Sequence, residues 1–126
     1  MRMPVGGFVA LGLAALATGC VSESQPDASA CAAPQIVLEL RLTAEELTPA
    51  PSVCRDQEVT LRIASEVDGV IDFHGYDEAI PSTEVVAGET LELTFDADRA
   101  GQFPIEVHFA DDSEGTTVGV FTVNEP

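Results

Sequence analysis

The chain has 126 residues, 45% of them hydrophobic, which allows one domain with a packed core. Its 22 acidic residues stand against five basic ones, with no lysine, for a formal charge of −17. Nucleic acid and anionic lipid headgroups are therefore not expected as direct partners, since binding phosphate takes clustered arginine and lysine, and the acidity reads as a solvated surface.

Arg2 opens a targeting segment, followed by an uncharged run of 13 residues at 5–17. Such a run is too short to cross ~30 Å of hydrocarbon comfortably as a helix. Ala17, Thr18 and Gly19 then lead into Cys20. This resembles a bacterial lipoprotein signal, in which small residues precede a cysteine that is lipidated and becomes the new N-terminus. Ala17 stands where that family most often has leucine. The resemblance implies a signal peptide over 1–19 and a membrane anchor at Cys20. Ser22, in place of an aspartate, implies the periplasmic face of the outer membrane or the cell surface. An ordinary secretory signal cut nearby is the alternative. Residues 21–30 show no apolar periodicity, so 20–34 reads as a lipidated cysteine and flexible tether ahead of a domain at 35–126.

Cys31 and Cys54 have 22 residues between them and lie in a compartment that permits disulfides. A bridge there would close a loop worth about 3 kcal/mol on the chain-entropy account. A thiolate metal or redox pair is the other reading, without the Cys-x-x-Cys spacing that would support it.

From residue 35 the chain reads as strands and turns. Ile36, Leu38, Leu40 and Leu42 alternate with Val37, Glu39 and Arg41, the period of a half-buried strand. Residues 43–51 hold two prolines and read as a loop with room for one helical turn at 44–47. Val59, Leu61 and Ile63 mark a second strand, Asp68-Gly69 a turn, 70–74 a third strand and 83–86 a short edge segment. Leu91, Leu93 and Phe95 share one face of the next strand, and Phe103, Ile105, Val107 and Phe109 one face of the strand after it. A polar loop at 111–115 precedes a last strand at 117–123. About seven short strands predict an all-β, Greek-key β-sandwich, antiparallel or mixed.

His74-Gly75-Tyr76-Asp77, the stretch 86–95 and the stretch 97–103 with its Gly-x-Phe strand start resemble a cupredoxin-like domain of the small bacterial secreted type. The similarity covers roughly 35–124 and implies a Greek-key sandwich of seven or eight strands. In blue-copper members one histidine follows the third strand, and a cysteine, a second histidine and usually a methionine come from the loop before the last strand. His74 matches the first of these. The stretch 106–119 has no cysteine or methionine and offers His108, Asp111, Asp112 and Glu114, while Asp72 stands where relatives often carry another histidine. A blue-copper centre needs a thiolate beside two imidazoles, so electron transfer through one is not expected.

A reduced site follows from strand parity. Asp72 and His74 share one face, opposite Ile71 and Phe73, and Glu106 and His108 share another, opposite Ile105 and Val107. If the two strands approach near the pole of the sandwich, the histidines could meet beside Asp72, Asp77 or Glu106. Two imidazoles with carboxylates suit Cu(II), Zn(II) or Ni(II) better than Cu(I). The competing reading makes both histidines ordinary polar residues, one at a strand end and one on an exposed face. The run 111–115 lacks EF-hand spacing and reads as a solvated turn, and no nucleophile motif, phosphate loop or dinucleotide fingerprint occurs, so catalysis is not expected. Two functions remain: an envelope lipoprotein that binds or handles a divalent metal, copper foremost, through His74, His108 and Asp72; or a metal-free structural or protein-interaction module of the envelope.

Overall fold

The computed structural model describes residues 28–126 apart from Asp111 and Ser113, so the expected signal peptide and Cys20 lie outside the described residues. A short helix, α1 (Ala28–Ala32), leads into nine strands. They are β1 (Gln35–Leu42), β2 (Leu47–Thr48), β3 (Ser52–Cys54), β4 (Glu58–Ser65), β5 (Gly69–Phe73), β6 (Thr83–Val85), β7 (Thr90–Asp96), β8 (Gly101–Phe109) and β9 (Thr116–Asn124). They form a four-stranded sheet, β2-β1-β4-β7, and a five-stranded sheet, β3-β9-β8-β5-β6. β1 runs parallel to β4 and β3 parallel to β9, while the other pairs are antiparallel, so the sandwich is mixed.

The count of nine exceeds seven because β2 and β3 lie in and just after the stretch read as a loop. No helical turn forms at 44–47. Instead the Thr43 hydroxyl accepts the Glu45 and Glu46 amides and the Thr43 amide donates to the Glu46 carbonyl at 2.9 Å. A threonine that captures its own backbone in this way makes a tight turn, which returns Leu47 alongside Leu42.

Alternation sets the core. Leu40, Leu42, Val59, Leu61, Ile63 and Phe95 face inward from the smaller sheet and meet Ile71, Phe73, Ile105, Val107, Phe121 and Val123 from the larger. At one end of this core, Tyr76 packs edge-on against Phe95, Phe103 and Phe121, with ring centroids 6.0, 4.6 and 5.4 Å away. The same end receives α1. Cys31 is bonded to the buried Cys54, and Gln57, 2% exposed, donates to the carbonyls of Ala30 and Ala33 while accepting the Cys54 amide. The backbone that precedes β1 is thereby held against the sandwich by one covalent bond and the two hydrogen bonds that Gln57 donates.

Outside the core, each of the four described arginines stands beside carboxylate groups: Arg41 by Glu66, Arg55 by Asp56 and Glu125, Arg62 by Glu39 and Glu92, and Arg99 by Asp98. Among the described residues β7 ends the smaller sheet, with β4 as its ladder partner on one side and none on the other. Among the described residues no helix is long and apolar enough to cross a membrane.

Candidate functional site

The site is set by the pairing of β5 with β8, in which Asp72 lies opposite Glu106 and Val70 opposite His108. Ile71, Phe73, Ile105 and Val107 of these strands are buried, so Asp72, Glu106 and His108 must project from the outer face of the five-stranded sheet. The His74 amide donates to the Pro104 carbonyl at 2.9 Å, extending the ladder one residue and putting the imidazole on that same face.

There the side chains converge. His74 Nε2 is 2.8 Å from Glu106 Oε2, and His108 Nε2 is 3.8 Å from the same oxygen. Asp72 Oδ2 lies 3.6 Å from His74 Nε2, while its Oδ1 accepts the Ser82 hydroxyl at 3.3 Å. The two rings are thus well within the ~10 Å beyond which two imidazoles could not share a mononuclear ion, each metal bond being near 2 Å. They meet on an open sheet face rather than at the pole, because a ladder and not a loop brings the strands together. The histidine side chains are 47% and 42% exposed, whereas Glu106 and Asp72 are 28% and 17% exposed.

Electrostatics follow the geometry. The His74 imidazole is held above its ordinary pKa of 6.5, first by hydrogen bonding to Glu106, against which burial works, and then by the charges of Glu106, Asp72 and Asp77. Asp77 acts on His74 through its charge and lies in a different place. It lines a cleft of about 320 Å³ with Gly75, Glu78, Asp98 and Arg99 at the end of the sandwich.

One residue at the site carries no sequence signal. Gly115, just before β9, lies so close that a Cβ on it would be 2.7 Å from Glu106 Oε2 and 3.0 Å from His108 Nε2. Cys31 and Cys54 are joined to each other, so neither is a thiolate available to an ion. Asp111 and Ser113 of the polar loop lie outside the described residues. Among the described residues, no three His, Cys, Asp or Glu side chains are already disposed as a ligand group for a metal.

Two facing sheets in this order, with the Tyr76 end closed by aromatic rings, constitute a cupredoxin-like β-sandwich. Solved structures with the same fold include a laccase from B. aclada (TM-score 0.56, 16% identity, covering 73% of this chain and 23% of that one). A copper nitrite reductase from Nitrosomonas europaea is similar at TM-score 0.55 and 18% identity, covering 72% of this chain and 42% of that one. A multi-copper oxidase from Pseudomonas thermotolerans is similar at TM-score 0.52 and 20% identity, covering 72% and 30%. The chain therefore spans less than half the length of each of these proteins, and at such identities the likeness is one of fold. No protein-family model matches the chain, and no curated protein sequence does.

The residues present do not fit a blue-copper ion. The described cysteines form a disulfide, and the donors that converge are imidazole nitrogen and carboxylate oxygen, with neither thiolate nor thioether among them. The same donors are of the kind that suits a divalent ion of borderline hardness, although they are not already disposed around one point. His74, His108 and Glu106 would hold it, with Asp72 and its Ser82 hydrogen bond behind His74.

Proposed function

We propose that this chain is an envelope lipoprotein whose cupredoxin-like domain binds a divalent metal ion, copper foremost, at a non-blue site, and that it holds or passes on the ion rather than catalysing a reaction. One observation carries this reading: two imidazoles from adjacent strands flank one carboxylate on an exposed face, with Glu106 Oε2 2.8 Å from His74 Nε2 and 3.8 Å from His108 Nε2. Imidazole with carboxylate is a donor set for Cu(II), Zn(II) or Ni(II), and Cu(II) stands highest among first-row divalent ions for such sites. The ion's remaining positions would face solvent, which suits transfer. The lipid anchor at Cys20 supplies the membrane attachment and the envelope location, with the domain on the periplasmic face of the outer membrane or at the cell surface.

A second reading is favoured by the 2.8 Å contact between His74 and Glu106, which pairs the two groups with each other without an ion. On that reading the domain is a metal-free structural or protein-interaction module of the envelope. Titrating the purified protein with Cu(II) and Zn(II) beside His74→Ala and His108→Ala separates the two. Affinity lost in both variants supports the metal site; equal, weak binding by all three proteins leaves the interaction module. For the anchor, Cys20→Ser is expected to release the protein from membranes, and continued membrane association would contradict it.

A further inference from the structure

We infer that Gly115 determines what the site can admit: by having no side chain it keeps open the notch between Glu106 and His108 in which a bare divalent cation fits. This rests on the metal-binding reading of the same residues and adds to it a positioning residue that is not itself a ligand.

The geometry is specific to this position. A methyl at residue 115 would sit 2.7 Å from Glu106 Oε2, 2.9 Å from His108 Cε1 and 3.0 Å from His108 Nε2, hence between the two donor atoms an ion would have to join. A nonbonded carbon 2.7 Å from oxygen is inside van der Waals contact, so the Glu106 carboxylate and the His108 ring, both at the free ends of their side chains, would have to swing aside. An ion asks for the opposite displacement. Glu106 Oε2 and His108 Nε2 are 3.8 Å apart, and two donors on one ion with bonds near 2 Å lie roughly 3 Å apart, so binding draws them together where the methyl drives them apart.

Backbone conformation does not account for this glycine. Among the described residues the left-handed glycines are Gly75, Gly88 and Gly101, with φ of 84°, 84° and 150°. Gly115 is not one of them, so alanine could adopt its backbone without strain. What it would do is displace the donor-bearing ends of the Glu106 and His108 side chains. Gly119, four residues along and in β9, is the contrast, because a Cβ there would meet nothing nearer than 3.9 Å.

The test is a calorimetric titration of the full protein with Cu(II) and with Zn(II), comparing wild type, Gly115→Ala and Gly119→Ala, each checked by thermal melting. Gly115→Ala is expected to melt cooperatively and to bind roughly 10- to 100-fold more weakly, the range for residues that orient metal ligands, while Gly119→Ala binds as wild type does. Wild type and Gly115→Ala binding alike would overturn the role of Gly115 and leave the metal site standing. No binding by wild type would overturn both. Should Gly115→Ala not fold, the wild-type protein still decides. Substoichiometric Cu(II) should broaden the Gly115 amide resonance and spare Gly101, at the opposite end of β8. Broadening of the His74 and His108 rings with Gly115 left sharp would count against the inference.

Discussion

The Tyr76 hydroxyl donates to the Arg99 carbonyl at 3.2 Å and accepts the Arg99 amide at 3.1 Å, so a single side chain satisfies both backbone groups of one loop residue. The exchange is reinforced from above. The Arg99 guanidinium lies 5.1 Å over the Tyr76 ring and 5.7 Å over Phe103, and donates to the Gly75 carbonyl. The turn after β5 and the loop before β8 are thus tied into one unit beside the aromatic end of the core.

Tyr76→Phe keeps the ring packing and removes the hydroxyl, leaving the Arg99 amide and carbonyl without that partner. Urea unfolding should show a loss of about 1 kcal/mol, the net worth of the hydrogen bonding at these part-buried groups. Unchanged stability would mean that water replaces the hydroxyl.

Gln57 gives a second test. It is 2% exposed and binds three backbone groups, at 2.8 Å to the Cys54 amide and 2.9 Å each to the Ala30 and Ala33 carbonyls. Gln57→Leu, of similar size, should cost about 1–3 kcal/mol for each group that water does not reach, and amide exchange at Cys54 should quicken. Reducing Cys31–Cys54 should take away a further ~3 kcal/mol by freeing the unfolded chain. An exchange rate at Cys54 equal to wild type would contradict the assignment.

The pH response of the metal-free protein follows from His74. Its pKa in the folded state is raised above 6.5, chiefly by Glu106, so folding favours the protonated ring. That stabilisation is in full force below the unfolded value and disappears as the pH climbs through the raised folded one. With EDTA present, wild type should melt above Glu106→Gln by the widest margin near pH ~5, the margin closing by pH ~8. A margin that stays constant, or widens with pH, would show that Glu106 acts on stability without the imidazole.

Spectroscopy addresses the ion itself. Cu(II) added to the protein should give only weak ligand-field absorption, with no intense thiolate-to-copper band near ~600 nm, because the donors are imidazole and carboxylate. A strong band there would require a sulfur ligand that Cys31 and Cys54, as a disulfide, do not supply.

The sequence displayed the long strands plainly. β1, β4, β7 and β8 each alternate over seven or more residues, and period 2 is conspicuous at that length. β2 and β3, two and three residues long, are too short to show a period, and α1 has neither an acidic first turn nor a basic last one to announce it. At the site, parity alone put Asp72 with His74 and Glu106 with His108. The register that sets Asp72 across from Glu106, and so turns two pairs into one cluster on the sheet's outer face, is a property of tertiary pairing. Gly115 could not have been singled out, because a glycine needed for empty space looks in sequence like any other loop glycine.

The free side of β7 bears on how copies of this chain treat one another. A seven-residue strand with one edge unpartnered among the described residues is an invitation to edge-to-edge association. Here its exposed side chains are Thr90, Glu92, Thr94 and Asp96, flanked by Glu89 and Asp98. Two such rims laid side by side would bring carboxylates against carboxylates, and the arginines nearby, Arg62 at Glu92 and Arg99 at Asp98, already stand beside carboxylates of their own chain. The acidity that reads as a solvated surface also acts at this rim as a barrier to aggregation, and it would matter most wherever copies of the chain are crowded together.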